Sequence, residues 1–76
     1  MSISGEAMTA LNAMRRADFR TASRAVQNAL DENPPHAVRR RLETAHSSLT
    51  MLASGGGEHD LLDVHEALEP LTKRSD

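Results

Sequence analysis

Glycine and proline, the residues that most readily interrupt a helix, occur at only a few places in this 76-residue chain. These places are Gly5, Pro34 and Pro35, the run at 55–57, and Pro70. Between them the chain has no run in which apolar and polar residues alternate and β-branched residues dominate, as a strand would require. The sequence therefore predicts an all-α fold, a small bundle of three to four helices.

The interruptions leave three long segments, and Asp18, a residue suited to begin a helix, divides the first of them, which gives four segments of helical length. We expect helices over residues of about 5–16, 19–32, 35–53 and 58–69. A chain of this size is typical of one minimal domain, so residues 1–76 are expected to form a single helical domain. Residues 70–76 are expected to be a frayed tail of that domain.

Residues that commonly begin or end helices set these bounds. Ser4 and Asp18 can each accept a hydrogen bond from a free amide at the start of the first and second helices. Pro35 is suited to the first position of the third helix. Pro70 disfavours helical geometry at the residue before it, so the fourth helix is predicted to end at Glu69.

Each predicted helix carries an apolar stripe, and the stripe of the third helix is the most regular. It consists of Val38, Leu42, Ala45, Leu49 and Leu52. The stripes expected on the first, second and fourth helices are Ala7, Met8, Leu11 and Met14; Phe19, Ala22, Val26, Ala29 and Leu30; and Leu61, Leu62, Val64 and Leu68. We expect the third helix to organise the bundle, with Leu42 and Leu49 as its most sensitive positions.

The core that these stripes can build is small. Phe19 is the only aromatic residue, and the chain has no cysteine. Small domains usually gain stability from disulfides, a metal or association, and the lack of cysteine excludes disulfides and thiolate ligands. The composition therefore favours self-association, as a homo-oligomer, or the binding of another protein.

The overall charge argues against a nucleic acid as the main partner, and the lack of a long apolar segment argues against a membrane. The formal net charge is −2, which gives no general attraction to phosphate backbones. No segment approaches the roughly 20 apolar residues that cross a bilayer, and the start lacks the pattern of a secretory leader. We therefore expect a cytoplasmic protein. Charge is uneven, because residues 1–45 are arginine-rich and residues 46–76 are mainly acidic.

A segment near the middle of the chain resembles the second half of a tetratricopeptide repeat. The residues that carry the resemblance are Ala17, Asp18, Phe19, Ala22, Ala29, Leu30, Asn33 and Pro34. Members of that family have a small residue, an aspartate and an aromatic residue at the turn, followed by alanines that allow helices to approach closely. The resemblance implies a scaffold that binds proteins or peptides and has no catalytic activity.

The resemblance is confined to residues 17–34. Upstream, Glu6, Thr9 and Ala13 stand where the family usually has large apolar or aromatic residues. No second copy follows at the family's period of about 34 residues. The segment is therefore interpreted as a repeat-like helical hairpin, to which a partner would add helices.

Arginine provides the best candidates for a partner-binding surface. The candidates are Arg15, Arg16, Arg20, Arg24, Arg39, Arg40 and Arg41. Three consecutive arginines on a helix spread over about 200°, so Arg39, Arg40 and Arg41 cannot all face one phosphate backbone. We predict a small helical protein-interaction module, such as an adaptor, a chaperone-like cofactor or an inhibitor that acts by occlusion. A nucleic-acid-binding regulator is the alternative.

Histidines raise two further hypotheses. The segment around His46 resembles the phosphoacceptor segment of histidine phosphotransfer domains, but Ser48, Leu49 and Thr50 replace the apolar residue, lysine and glycine of that family. A phosphotransfer carrier is thus a third alternative. His59, Asp63 and Glu66 share a predicted helix face that could offer ligands to a divalent ion, and we interpret it as a solvated acidic face. No enzyme activity, metal or cofactor is expected.

Overall fold

The computed structural model describes residues 2–73, which form four helices. They are α1 (Ile3–Arg15), α2 (Phe19–Asp31), α3 (His36–Ala53) and α4 (Glu58–Thr72). No strand occurs within these residues, so the predicted all-α bundle is confirmed. Most predicted bounds agree to within one residue, but α1 begins earlier than predicted and α4 ends later.

Each helix packs against two others, and together they close a ring. α1 contacts α2 and α4, and α3 also contacts α2 and α4, whereas the diagonal pairs do not touch. The connections at 16–18, 32–35 and 54–57 are short, which makes consecutive helices antiparallel. The buried side chains of all four helices form one core cluster.

A residue in the left-handed backbone region ends each of the first three helices. These residues are Ala17, Asn33 and Gly55, with φ of 56°, 55° and 98°. After α3, the amide of Gly55 donates to the carbonyl of Leu52, and the amide of Gly56 donates to that of Met51. This pair of bonds satisfies carbonyls that the helix itself leaves free. The run at 55–57 is therefore a turn.

The turn between α1 and α2 has the same hydrogen bonds, formed by a residue less suited to it. The amide of Ala17 donates to the carbonyl of Met14, and the amide of Asp18 donates to that of Ala13. Alanine is disfavoured in the left-handed region because its Cβ crowds the following carbonyl oxygen. The first turn is therefore strained relative to the glycine turn after α3.

The predicted cap of α2 is confirmed, and that of α1 is wrong. Asp18 accepts a hydrogen bond from the Thr21 amide at 3.2 Å. Hydrogen bonds from the Thr21 side chain and then its amide lower the pKa of Asp18 below its ordinary value. At α1, Ser2 rather than Ser4 is the N-cap, and its hydroxyl accepts from the Gly5 amide at 3.0 Å. The earlier start allows Ile3 to pack against the core.

Pro35 and Pro70 also differ from their predicted positions. Pro35 is the N-cap residue of α3, so the helix starts at the residue after it. Pro70 lies inside α4, which continues to Thr72 instead of ending before the proline. The burial of Leu71, which is 2% exposed, accounts for this last turn. Residues 70–72 of the predicted frayed tail are thus helical, and residues 74–76 lie outside the described part.

A side chain from α3 replaces the helical hydrogen bond that Pro70 cannot make. In a regular helix the amide of residue 70 would donate to the carbonyl of Glu66, but proline has no N–H group. The guanidinium of Arg41 donates to that carbonyl at 3.3 Å. Arg41 therefore helps to accommodate the proline within α4.

The stripe predicted on α3 is buried in full. All five of its side chains belong to the core, with Leu42 and Leu49 among the largest fully buried residues. The faces predicted for α1 and α4 are partly wrong. Met8 is 52% exposed and Leu62 is 62% exposed, while Leu11 and Leu61 are only partly buried. The positions facing the core that the sequence interpretation omitted are Ala10, Ala13, Ala25, Ala67 and Leu71.

Candidate functional site

Open grooves run along three of the four helix pairs of the ring. The groove between α2 and α3, called here the α2/α3 groove, has a volume of about 430 Å³. It is lined by Phe19, Arg20, Ser23, Arg24, Gln27, His46, Leu49, Thr50, Ala53 and Ser54. It contains two of the predicted partner-binding arginines and the histidine of the phosphotransfer hypothesis.

The α2 wall of the groove is the polar edge of an amphipathic helix. Arg20, Arg24 and Gln27 are separated by four and then three residues, so they lie along one side of α2. The opposite side of α2 carries Ala22 and Val26, which are fully buried. Burial of those two residues fixes the rotation of α2 about its axis. The two arginines are therefore held at the solvent-facing edge.

The α3 wall and the floor are less polar. Leu49 is fully buried beneath the groove, and half-buried Phe19 supplies apolar surface near one end of it. His46, Thr50 and Ala53 follow along α3, and His46 is half-buried. A helix or side chain lying in the groove would thus meet apolar surface below and polar groups at the edges.

The α2/α3 groove contains arginine and no carboxylate among its ten lining residues. Within residues 2–73, one carboxylate is hydrogen-bonded to a lining residue: Asp31, at the end of α2, accepts from Gln27 Nε2 at 3.1 Å. Arg20 and Arg24 are exposed, and neither has a carboxylate oxygen within 4.0 Å among residues 2–73. The lining of the groove is therefore positively charged, and the carboxylate that faces this charge is that of Asp18, the N-cap residue of α2. The pKa of Asp18 is lowered by the Thr21 hydrogen bonds and then by the charges of Arg16 and Arg20.

The other two grooves bring opposite charges together. The groove between α3 and α4, of about 310 Å³, places Arg40 and Arg41 with Asp63 and Glu66. The groove between α1 and α4, of about 400 Å³, contains Arg15, Lys73 and Glu69, together with the apolar side chains of Met8 and Leu11. In both grooves acidic side chains of α4 partly balance the basic ones.

The seven predicted arginines consequently lie in three places. Arg20 and Arg24 line the α2/α3 groove, whereas Arg15 and Arg16 lie at the end of α1. The other three, Arg39, Arg40 and Arg41, occupy the first turns of α3. Arg39 donates to the side-chain oxygen of Asn33 at 3.3 Å. Arg16 and Arg20 both lie near Asp18 in the turn between α1 and α2, whereas Arg39, Arg40 and Arg41 are at the start of α3.

The histidines of α4 form local pairs along that helix. His59 lies 3.2 Å from an Asp63 oxygen, and His65 lies 3.3 Å from a Glu69 oxygen. Both pairs span one helical turn, the usual spacing of side-chain pairs on a helix surface. Within residues 2–73, no group of three histidine or acidic side chains is placed to hold a metal ion.

Two residues of functional interest were missed because their burial was predicted incorrectly. Phe19, expected in the core stripe of α2, does pack against the core, but it is only half-buried and also lines the groove. Leu62 was expected in the core stripe of α4, and it faces solvent. The polar spacing of Arg20, Arg24 and Gln27 could have indicated one wall of the groove. Nothing in the sequence indicates which face of α3 lies opposite.

Comparison with known proteins adds no family to this description. No protein-family model, curated protein or solved structure matches the chain. Within residues 2–73, no helix combines the length and the apolar character needed to cross a membrane. Function is therefore inferred from the α2/α3 groove and its surroundings.

Proposed function

We propose that this chain is a protein-interaction module that binds an acidic amphipathic helix of a partner protein in the α2/α3 groove. The observation that carries the proposal is the pair Arg20 and Arg24, exposed beside a groove with no acidic lining residue. The proposal includes an adaptor, a chaperone-like cofactor and an inhibitor by occlusion, since each would act by holding a partner helix.

The chemistry of the groove selects the class of partner. Its apolar surface, supplied by half-buried Phe19 and exposed Ala53, would take up the apolar face of a helix, the usual way in which a helix binds a groove. Arginine binds carboxylates with two parallel hydrogen bonds, so Arg20 and Arg24 favour glutamate or aspartate along the flank of that helix. The positive charge of the lining would also speed encounter with an acidic partner.

The location of the groove agrees with the resemblance to a tetratricopeptide repeat. The α2 wall, including Phe19, lies within the segment 17–34 that carries the resemblance. The concave groove of that family needs several stacked repeats, whereas here α1 packs against α4 and closes the bundle. A partner would therefore add a helix to the outside of the bundle.

The proposal can be tested with a designed helical peptide. The probe carries leucine on one face and glutamate on both flanks, and its control carries lysine in place of glutamate. Fluorescence anisotropy should show that the glutamate peptide binds at least about tenfold more tightly than the lysine peptide. Arg20→Glu with Arg24→Glu should remove this preference.

A matched control separates the groove from net charge. Arg15→Glu with Arg16→Glu makes the same change in charge outside the α2/α3 groove and should leave the preference for the glutamate peptide unchanged. Equal loss of binding in both double variants, with folding intact by circular dichroism, would show that only overall charge matters and would refute the groove as the binding site.

His46 supports a second candidate function, a carrier of phosphoryl groups. It is half-buried in the same groove as Arg20 and Arg24, whose charges could balance a phosphoryl group. Phosphoramidate should transfer its phosphoryl group to the imidazole with release of ammonia. The product should be acid-labile and should be absent from His46→Gln. Labelling of His36, His59 or His65 to the same extent would reject a specific role for His46.

The positions of the arginines do not favour the nucleic-acid-binding alternative. Arg40 and Arg41 lie beside Asp63 and Glu66, whose carboxylates would repel a phosphate backbone. A phosphate-binding surface normally requires clustered positive charge on one face. The three arginine locations lack that arrangement.

A further inference from the structure

One large apolar side chain of α4 faces solvent at the centre of an acidic helix face. Leu62 is 62% exposed, the highest value among the large apolar residues described. The exposed residues Glu58, Glu66 and Glu69 lie on the same face, at spacings of four or three residues from one another or from Leu62. These four residues are called here the α4 acidic stripe.

The stripe has the chemistry that the α2/α3 groove is proposed to bind. It consists of an apolar side chain with carboxylates on both sides along an exposed helix. The core-facing side of α4 carries Val64 and Leu68, both fully buried, so the helix cannot rotate to cover Leu62 without exposing them. Within residues 2–73, the apolar surface of Leu62 therefore stays largely uncovered.

We propose that the α4 acidic stripe of one copy docks into the α2/α3 groove of a second copy. This inference rests on the function proposed above, because it assigns an occupant to the same groove. Arg20 and Arg24, one helical turn apart, would extend their long side chains toward Glu58 and Glu66, which are two turns apart. Leu62, between the glutamates, would lie against Phe19. Each copy thus supplies the charge that the other copy's surface lacks.

The arrangement of helices determines the symmetry of this association. α2 and α4 are diagonal in the ring and do not contact each other, so the stripe of one copy is far from its own groove. Each copy has one stripe and one groove, and the two surfaces differ. Contacts between unlike surfaces join copies either reciprocally, as a two-fold symmetric pair, or head to tail, as larger rings or growing chains.

The same contact would regulate binding of other proteins. A groove filled by a neighbouring copy's stripe is closed to a partner helix, so self-association and partner binding compete by mass action. Raising the protein concentration should therefore weaken binding of the glutamate peptide, and excess peptide should dissociate the assemblies.

Sedimentation velocity of two complementary variants tests the proposal. The groove variant, Arg20→Glu with Arg24→Glu, retains an intact stripe. The stripe variant, Glu58→Gln with Leu62→Ser, retains an intact groove. Each variant alone should be monomeric at concentrations where the wild-type chain associates. Their mixture should form a complex of one copy each and nothing larger, because only one competent contact remains.

A control variant tests whether any exposed apolar side chain promotes association non-specifically. Met8→Ser removes a large side chain that is 52% exposed on α1; it shares the α1/α4 groove with Glu69 and lies outside the α2/α3 groove. It should associate as the wild-type chain does. A similar loss of association in Met8→Ser and in the stripe variant would overturn the assignment of the contact to α4.

Failure of this inference and failure of the proposed function give different results. A wild-type chain that remains monomeric over the accessible range but binds the glutamate peptide would overturn self-docking and leave the proposed function intact. Association that persists in the groove variant would also overturn it, because another surface would then join the copies. A chain that neither associates nor prefers the glutamate peptide would refute both proposals.

Discussion

The two hairpins of this bundle are packed with different side chains. The buried apolar residues of α1 and α2 are Ala7, Ala10, Ala13, Met14, Ala22, Ala25, Val26 and Ala29. Those of α3 and α4 are Val38, Leu42, Ala45, Leu49, Leu52, Val64, Ala67, Leu68 and Leu71. The first hairpin thus buries mainly alanine, and the second buries mainly leucine and valine.

This difference separates two ways of holding helices together. Burying a leucine or valine side chain is worth about 1.5–3 kcal/mol, so the α3–α4 hairpin supplies most of the apolar burial. Alanine offers little area but allows helix backbones to approach closely, which makes the α1–α2 hairpin sensitive to added volume. The charges differ too, since the arginines of the groove belong to α2 and the acidic stripe belongs to α4.

The largest predicted effect is the loss of a leucine from the α3–α4 hairpin. Leu42→Ala or Leu49→Ala should lower the free energy of unfolding by about 2–5 kcal/mol, because each leaves a cavity in the centre of the core. A core of this size supplies roughly 3–5 kcal/mol, so either variant should be largely unfolded. Circular dichroism melts check this prediction.

His46→Ala is the control on the same helix. His46 is half-buried and makes no core contact of its own, so the variant should lose less than about 1 kcal/mol. A stable Leu42→Ala beside an unfolded His46→Ala would contradict the assignment of the buried face of α3.

The next largest effect on stability is expected from adding side-chain volume to the α1–α2 hairpin. Ala22 is fully buried, and Ala22→Leu should reduce stability by about 1–3 kcal/mol by forcing α1 and α2 apart or distorting rotamers. Ala37→Leu, at an exposed position of α3, is the matched control and should change the denaturant midpoint little. An Ala22→Leu variant as stable as the wild type would mean that the first hairpin is loosely packed.

The turns of the two hairpins should respond in opposite directions. Ala17→Gly relieves the left-handed strain after α1 and should stabilise the chain by up to about 1 kcal/mol. Gly55→Ala introduces that strain after α3 and should destabilise it by about 1–2 kcal/mol. No atom lies within 4 Å of a Cβ built on Gly55, so steric contacts do not contribute to the loss of stability in Gly55→Ala. Thermal melts that change in the same direction for both variants would refute this account.

The smallest predicted effect concerns Arg41 and Pro70. Arg41→Ala should cost about 0.5–1.5 kcal/mol, because the Glu66 carbonyl loses the donor that Arg41 supplies. Pro70→Ala restores the backbone N–H, so Arg41→Ala should cost less in that background. Amide hydrogen exchange in the last turn of α4 measures this coupling through a double-mutant cycle. Additive effects of the two substitutions would show that Arg41 does not compensate for the proline.

The sequence was sufficient to predict the buried face of α3. It was insufficient for the buried face of α1 and for the end of α4, for a different physical reason in each helix. On α3 the buried positions hold large apolar residues, so their spacing identifies the face. On α1 most buried positions hold alanine, while Met8 is exposed, so weighting residues by hydrophobicity identifies the buried face only in part. On α4 a prediction based on Pro70 alone could not anticipate a donor from α3 or the burial of Leu71.

The candidate site was predictable only in part. The spacing of Arg20 and Arg24 on a helix face is visible in the sequence. Arg40 and Arg41 share a groove with Asp63 and Glu66, whereas the groove of Arg20 and Arg24 has no acidic lining residue. This difference depends on which helices become neighbours. Tertiary packing, which residue spacing does not encode, therefore distinguishes one arginine pair from the other.

Reversal of binding preference by reversal of charge tests the central claim most directly. The claim is that Arg20 and Arg24 select an acidic helix in the α2/α3 groove. The dissociation constants of the glutamate and lysine peptides are measured for the wild-type chain and for Arg20→Glu with Arg24→Glu. The account predicts that the wild-type chain prefers the glutamate peptide by at least about tenfold and that the variant prefers the lysine peptide. A folded variant that still prefers the glutamate peptide would contradict it.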